Sequence, residues 1–147
     1  MRDRVSLWLV GLAFAGLVAS ASSTYVHLQM ITDPGYTSFC DINTNVSCTQ
    51  VYQSRYGTVY GVPVAFGGVV WFIGVILLCV ASRFASSAST LRIGGYLLVW
   101  STIGLSVAMY MAYASFFVLQ TVCVLCLIVY ASVIGIFLLS GNIEAAK

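Results

Sequence analysis

Three long runs without Asp, Glu, Lys or Arg divide the chain, at residues 5–32, 56–82 and 93–143. A membrane-spanning helix needs about 20 apolar residues. The first two runs therefore hold one helix each. The third, 51 residues long, is more than twice a span and must fold back on itself. Gln120 is its only amide, charged, His or Pro residue between Ile93 and Gly141, which puts the turn at Gln120-Thr121. The pattern predicts an all-α integral membrane protein, a bundle of four transmembrane helices at about 6–30, 62–82, 93–118 and 122–141.

Small residues at helical spacing mark the faces where these helices should touch. Gly11, Ala15 and Ala19 recur every four residues in the first helix. Gly67, Gly68 and Gly74 suggest close packing in the second, and Ser101, Gly104, Ala108, Ala112 and Ser115 form a stripe on the third. Pro63 is well placed to open the second helix. Met1-Arg2-Asp3-Arg4 together with Ala19-Ser20-Ala21-Ser22 resemble a signal peptide. Apolarity resumes at Tyr25, Val26, Leu28, Met30 and Ile31, however, and the segment reads as a membrane helix. His27, near its end, reads as an interfacial or hydrogen-bonded side chain.

The long polar stretch is 33–60. Asp33-Pro34-Gly35 breaks the first helix. Tyr52, Tyr56 and Tyr60 at four-residue spacing predict one face of a short helix lying on the bilayer. A short Ser-rich connection separates Arg83 from Arg92.

Composition narrows the class. Of 147 residues, 61% are hydrophobic and 7% charged, against about 25% charged in a soluble domain. Mean hydropathy is +1.00. Residues 1–147 read as a single membrane domain. A net charge of +2 with no basic run gives no reason to expect nucleic acid. With the N-terminus inside, five of the six basic residues (Arg2, Arg4, Arg83, Arg92 and Lys147) fall on the cytoplasmic side and Arg55 alone falls outside, which satisfies the positive-inside rule. Both termini are then cytoplasmic, and the 33–60 loop shares the outer face with the turn before Cys123. That face is the periplasmic side of a bacterial inner membrane, or the lumenal side of the ER membrane in a eukaryotic host.

This topology gathers four of the five cysteines in one oxidising compartment; Cys79, near the inner end of the second helix, is left out and reads as a small hydrophobe. Cys40 and Cys48 can close a small disulfide loop. Cys123-Val124-Leu125-Cys126 is a Cys-x-x-C motif at the edge of the membrane. Zinc would find too few ligands there, and haem attachment would want His at position 127, which is Leu. Redox chemistry remains. Two dithiols that meet form a relay, because thiol–disulfide exchange passes two electrons through a mixed disulfide. Opening a helix, Cys123 and Cys126 sit where free N–H groups favour a thiolate. Tyr130, four positions on, shares their face and can hydrogen-bond a quinone oxygen as charge develops there.

These residues carry a resemblance. The chain resembles the vitamin K epoxide reductase family, including its bacterial, disulfide-generating members, over nearly its whole length. The likeness is most specific in Cys40-Asp41 with Cys48 beyond, Ser54-Arg55-Tyr56-Gly57, Phe66-Gly67, and Phe116-Phe117-Val118-Leu119 followed by Cys123, Cys126 and Tyr130. The resemblance implies that Cys40 and Cys48 accept electrons from a separate thioredoxin-like (DsbA-like) protein, Cys40 meeting the partner and Cys48 passing electrons on to Cys123. It implies that Cys126 faces the quinone (ubiquinone, menaquinone or vitamin K) and that Tyr130 hydrogen-bonds it, with Val51, Tyr56, Phe66 and Met111 lining the pocket. Pro63 stands where the vertebrate enzymes carry a substrate-binding Asn, which favours quinone over epoxide.

The expected function is a quinone-reducing, disulfide-generating thiol oxidoreductase without a metal, acting as a monomer. Its rivals are a vitamin K quinone or epoxide reductase running the same relay and a non-catalytic membrane scaffold or metal-binding protein.

Overall fold

The computed structural model describes residues 2–145; Lys147, counted above for orientation, lies outside them. Its helices are α1 (Arg2–Thr32), the short α2 (Cys48–Gln53), α3 (Val64–Phe84), α4 (Ser87–Tyr113) and α5 (Val124–Ala145), with a two-stranded hairpin, β1 (Thr58–Val59) and β2 (Val62–Pro63), between α2 and α3. α4 runs on into a π-helical stretch, Ala114–Leu119. Among the described residues, four helices are long and apolar enough to cross a membrane: Arg4–Thr32, Val64–Phe84, Arg92–Leu119 and Val124–Ala145. The protein is an integral membrane helical bundle, in which α1 packs against both α3 and α5, and α4 against α5 and α3.

The buried face of α1 is not the expected one. Gly11 and Ala15 are exposed, whereas Leu9, Ala13, Gly16, Ser20, Ser23 and His27 are buried. Their alternating spacing of four and three is the seam of a packed helix. Gly16 makes the closest approach: a Cβ there would lie 2.1 Å from Cζ of the fully buried Phe72 on α3. The four-residue spacing of Gly11, Ala15 and Ala19 drifts around the helix and reaches the seam only at Ala19.

Between α3 and α4 the expectation holds better. Ser101, Gly104, Ala108 and Ser115 are buried and Ala112 half-buried. Gly104 accommodates the indole of Trp71 and Gly74 that of Trp100. Each indole N–H donates to the other tryptophan's carbonyl, Trp71 Nε1 to Trp100 O at 3.1 Å and Trp100 Nε1 to Trp71 O at 3.2 Å. Gly68 meets Ser20, but nothing approaches Gly67.

The connection before α4 is shorter than the Ser-rich composition suggests, because helix resumes at Ser87. The Ser86 carbonyl accepts both the N–H and the hydroxyl of Thr90. The three tyrosines do not share a helical face either. α2 ends at Gln53, so only Tyr52 is helical and it turns inward. Tyr60, fully exposed, takes a left-handed conformation (φ 51°) with Gly61 (φ 81°) at the tip of the hairpin, a turn with both central residues at positive φ. The turn at Gln120 is where the pattern placed it, with Gln120 left-handed at φ 52°.

Candidate functional site

The polar stretch after α1 is folded by its own short side chains. Asp33 Oδ1 accepts the N–H of Gly35 at 3.0 Å. Asn43 Oδ1 accepts those of Asn45 and Val46 at 3.0 and 2.9 Å, bending the chain back so that it can pair with the turn before α5. There Val122 N–H donates to Asn45 O (2.9 Å), Ser47 N–H donates to Val122 O (3.1 Å), and Thr121 hydroxyl donates to Gln50 Oε1 (2.9 Å). Ser115 hydroxyl holds the other side of the turn through Thr121 O at 2.6 Å. The loop and the Cys-x-x-C segment are thus stitched together by backbone.

Asp41 clasps the start of α2. Its carboxylate accepts from Ser47 hydroxyl (2.8 Å), from Thr49 N–H (3.1 Å) and from Thr49 hydroxyl. Burial opposes ionisation, but the hydrogen bonds from Thr49 and Ser47 outweigh it and hold the carboxyl below its usual range. Ser47 in turn caps α2 by accepting from Gln50 N–H.

The clasp delivers Cys48 to Cys123. Cys40 and Cys48 form a disulfide, and Cys48 Sγ lies 2.8 Å from Cys123 Sγ. The sulfur atoms of Cys40, Cys48 and Cys123 all lie within 4.8 Å of one another. Two of the three are joined as a disulfide, which leaves one thiol among them. Cys123, Cys126 and Cys79 are free, and Cys79 belongs to the opposite end of the bundle, among core residues of α1 and α3.

Cys123 occupies the cap position of α5, and its carbonyl accepts Leu127 N–H at 3.0 Å. Its thiol is pulled down to about 7 by a hydrogen bond from the Cys126 thiol, which with Tyr52 and the N–H groups of Cys126 and Leu125 outweighs burial. Tyr52 hydroxyl donates to Ser23 Oγ at 2.8 Å and lies 3.4 Å from Cys123 Sγ. Burial, reinforced by the Cys126 and Cys123 sulfurs, pushes the Tyr52 phenol far up, so it stays a protonated neighbour of the thiolate. Nothing local in the sequence singles out Tyr52 or Ser23 for a role. Tyr52 was grouped with two tyrosines of the loop, and its true partners lie 29 and 71 positions away.

Cys126 faces a different space, a cavity of about 470 Å³ between α1, α3, α4 and α5, roofed by α2 and the hairpin. Val51, Tyr56, Phe66, Met111 and Tyr130 all line it with Cys126, so the five pocket positions named from sequence come together around one dithiol sulfur. The lining also includes Pro63, His27 and Trp71. Tyr56 stacks edge-on against Tyr110, ring centres 6.2 Å apart. A pocket of this size, apolar with a few polar groups, suits a flat ring compound.

A disulfide touching one end of a membrane-edge dithiol, with an apolar cavity at the other end, is the apparatus of a membrane thiol oxidoreductase. A sequence model of the "Vitamin K epoxide reductase family" matches residues 7–140. The chain is 28% identical over 145 residues to "Vitamin K epoxide reductase complex subunit 1" of Mus musculus, covering 89% of this chain and 85% of that protein. The Rattus norvegicus protein of the same name matches with the same identity and coverage. The chain belongs to the vitamin K epoxide reductase family, whose members are oxidoreductases using cysteine thiols and a quinone.

Proposed function

We propose that the protein oxidises a thioredoxin-like partner on the outer face of a bacterial inner membrane and reduces a membrane quinone, with both termini cytoplasmic and residues 1–147 acting as a single, monomeric membrane domain. The contact that carries the reading is Cys48 Sγ against Cys123 Sγ at 2.8 Å, with Cys126 turned to the cavity. The partner's thiolate attacks Cys40 and releases the Cys48 thiolate. Cys48 attacks Cys123 of a Cys123–Cys126 disulfide, and the electron pair leaves on Cys126. The partner's second thiol then frees Cys40 as the partner leaves oxidised. Cys40 attacks Cys48 and expels Cys123 as thiolate, re-forming Cys40–Cys48. The disulfide and free thiols found here match that stage, ready for the quinone.

Cys126 passes its proton to the Cys123 thiolate and adds through sulfur to the quinone ring. Cys123 attacks Cys126, the C–S bond breaks with its electron pair moving into the ring, and Cys123–Cys126 closes. Two thiol protons balance the two ring oxygens, so dithiol and quinone become disulfide and hydroquinone. Tyr130 hydrogen-bonds an oxygen as charge develops. Phe39 and Ile42, each 69% exposed beside buried Cys40, offer an apolar landing for the partner. The test is quinone reduction by the purified protein with a reduced thioredoxin-like donor, comparing ubiquinone, menaquinone and vitamin K epoxide. Turnover that survived Cys126→Ala would overturn the relay.

A further inference from the structure

One fully buried polar side-chain atom in the cavity wall has no hydrogen-bond partner among the described residues. Around it, Tyr52 hydroxyl bonds Ser23, Ser115 hydroxyl bonds a backbone carbonyl, and Trp71 N–H bonds Trp100 O. His27 differs. It is 4% exposed, it lines the cavity, and its Nδ1 is buried with no hydrogen-bond partner among the described residues. The other such side-chain atom there is Ser6 Oγ, near the start of α1. A buried imidazole nitrogen left unpaired keeps its desolvation cost uncompensated, so its place in the wall points to a ligand that completes it.

We propose that His27 is a second polar contact for the quinone head group, its Nδ1–H donating to one ring oxygen while Tyr130 serves the other. The assignment rests on the quinone-reductase reading above. His27 sits at the last buried step of the α1 seam, one turn beyond Ser23, with its ring 5.5 Å from that of Tyr52 and tilted by 36°. Tyr52 is the residue whose hydroxyl touches Cys123 Sγ. The imidazole thus packs against the residue that touches Cys123 Sγ and shares a cavity wall with Cys126. His27 keeps its proton: the two protons of hydroquinone come from the dithiol, and the imidazole lends only a hydrogen bond, strongest when the oxygen is most negative.

The substitutions separate this role from simple packing. Asn places a side-chain N–H near the position of Nδ1, Gln places one near Nε2, and Phe fills the space with none. The probe is a soluble 1,4-naphthoquinone, followed by reduction kinetics with dithiothreitol-reduced protein and by quenching of tryptophan fluorescence, since Trp71 lines the cavity. His27→Phe should lower kcat/KM and weaken binding by about tenfold, the loss of one buried hydrogen bond. His27→Asn should recover most of that and His27→Gln little, while formation of a Cys48–Cys123 disulfide in the Cys126→Ala background proceeds at the same rate in all. Wild-type levels in His27→Phe, or equal losses in Asn, Gln and Phe variants of matched thermal stability, would overturn the assignment of His27 alone. A wild-type protein that neither binds nor reduces the naphthoquinone would overturn the quinone reading itself, and the proposal with it.

Discussion

Cys48 and Cys123 are 75 positions apart in sequence, yet their sulfurs lie 2.8 Å from each other, closer than two non-bonded sulfur atoms rest in ordinary packing. A short parallel pairing between Val46 and Val122 holds them there. The relay proposed above would start from two sulfurs already in contact.

Removing Cys126 should therefore reveal the intermediate. In Cys126→Ala, the Cys123 thiolate is expected to attack the adjacent Cys48 and release the Cys40 thiolate, an exchange that needs no net oxidant; Cys40 can attack back, so a Cys48–Cys123 population should stand beside Cys40–Cys48. Peptide mapping under non-reducing conditions reads the pairing directly. Persistence of Cys40–Cys48 alone would show that the two sulfurs do not exchange.

Cys123 should ionise early. At pH 7 about half of a thiol at about 7 is thiolate, against about 3% of an ordinary thiol near 8.5. Thiolate absorbance near 240 nm in Cys79→Ala, with Cys40–Cys48 intact, should thus show a first transition near pH 7. When Cys123 ionises, the single phenol proton of Tyr52 can turn from Ser23 Oγ to the sulfur, so Tyr52→Phe removes a donor to the thiolate and the transition should move to higher pH. The sign follows because losing a donor destabilises only the charged form. A downward shift, or none, would mean that the phenol does not address the sulfur.

The Asp41 clasp gives a separate handle on the relay. Its carboxyl is held below 3.8 by Thr49 and Ser47 against the pull of burial, so its folding contribution is fully present above that value and fades as pH falls through the lower folded-state value. It stays ionised and clasped throughout neutral pH. Asp41→Ala should loosen Ser47 and Thr49 at the start of α2 and slow Cys48–Cys123 trapping several-fold, while naphthoquinone reduction by protein already reduced at Cys123 and Cys126 keeps its rate. Equal slowing of both reactions would place Asp41 in the general stability of the fold instead.

Much of this was legible in the chain because membranes impose coarse rules. Charge-free runs set the four helices, and the lone Gln120 marked the turn that structure gives a left-handed residue. The Cys-x-x-C and its resemblance pointed to Cys40, Cys48, Cys123 and Cys126, which the fold gathers in one cluster. What could not be read was rotation about each helix axis. In a wholly apolar helix, neighbours rather than hydrophobicity choose the inner face, so α1 turned inward the side bearing Gly16 and His27. Tyr52 was obscure for a related reason: its value lies in Ser23 and Cys123, which local periodicity does not see.

That rotation can be tested by two glycines on α1. A methyl at Gly16 would collide with the ring of Phe72, which is fully buried. Gly16→Ala should cost about 1–3 kcal/mol, the usual range for overpacking a filled core. Nothing lies within 4 Å of the corresponding position at Gly11. Gly11→Ala should therefore be neutral, or stabilise by up to about 1 kcal/mol through better helix propensity. Thermal unfolding of both variants in the same detergent measures the difference. Should Gly11→Ala prove the more damaging, the seam of α1 would run through Gly11, Ala15 and Ala19 after all, and His27, sixteen residues beyond Gly11, would have to turn with it. The same pair of melts thus checks the helix rotation on which the orientation of His27 towards the cavity depends.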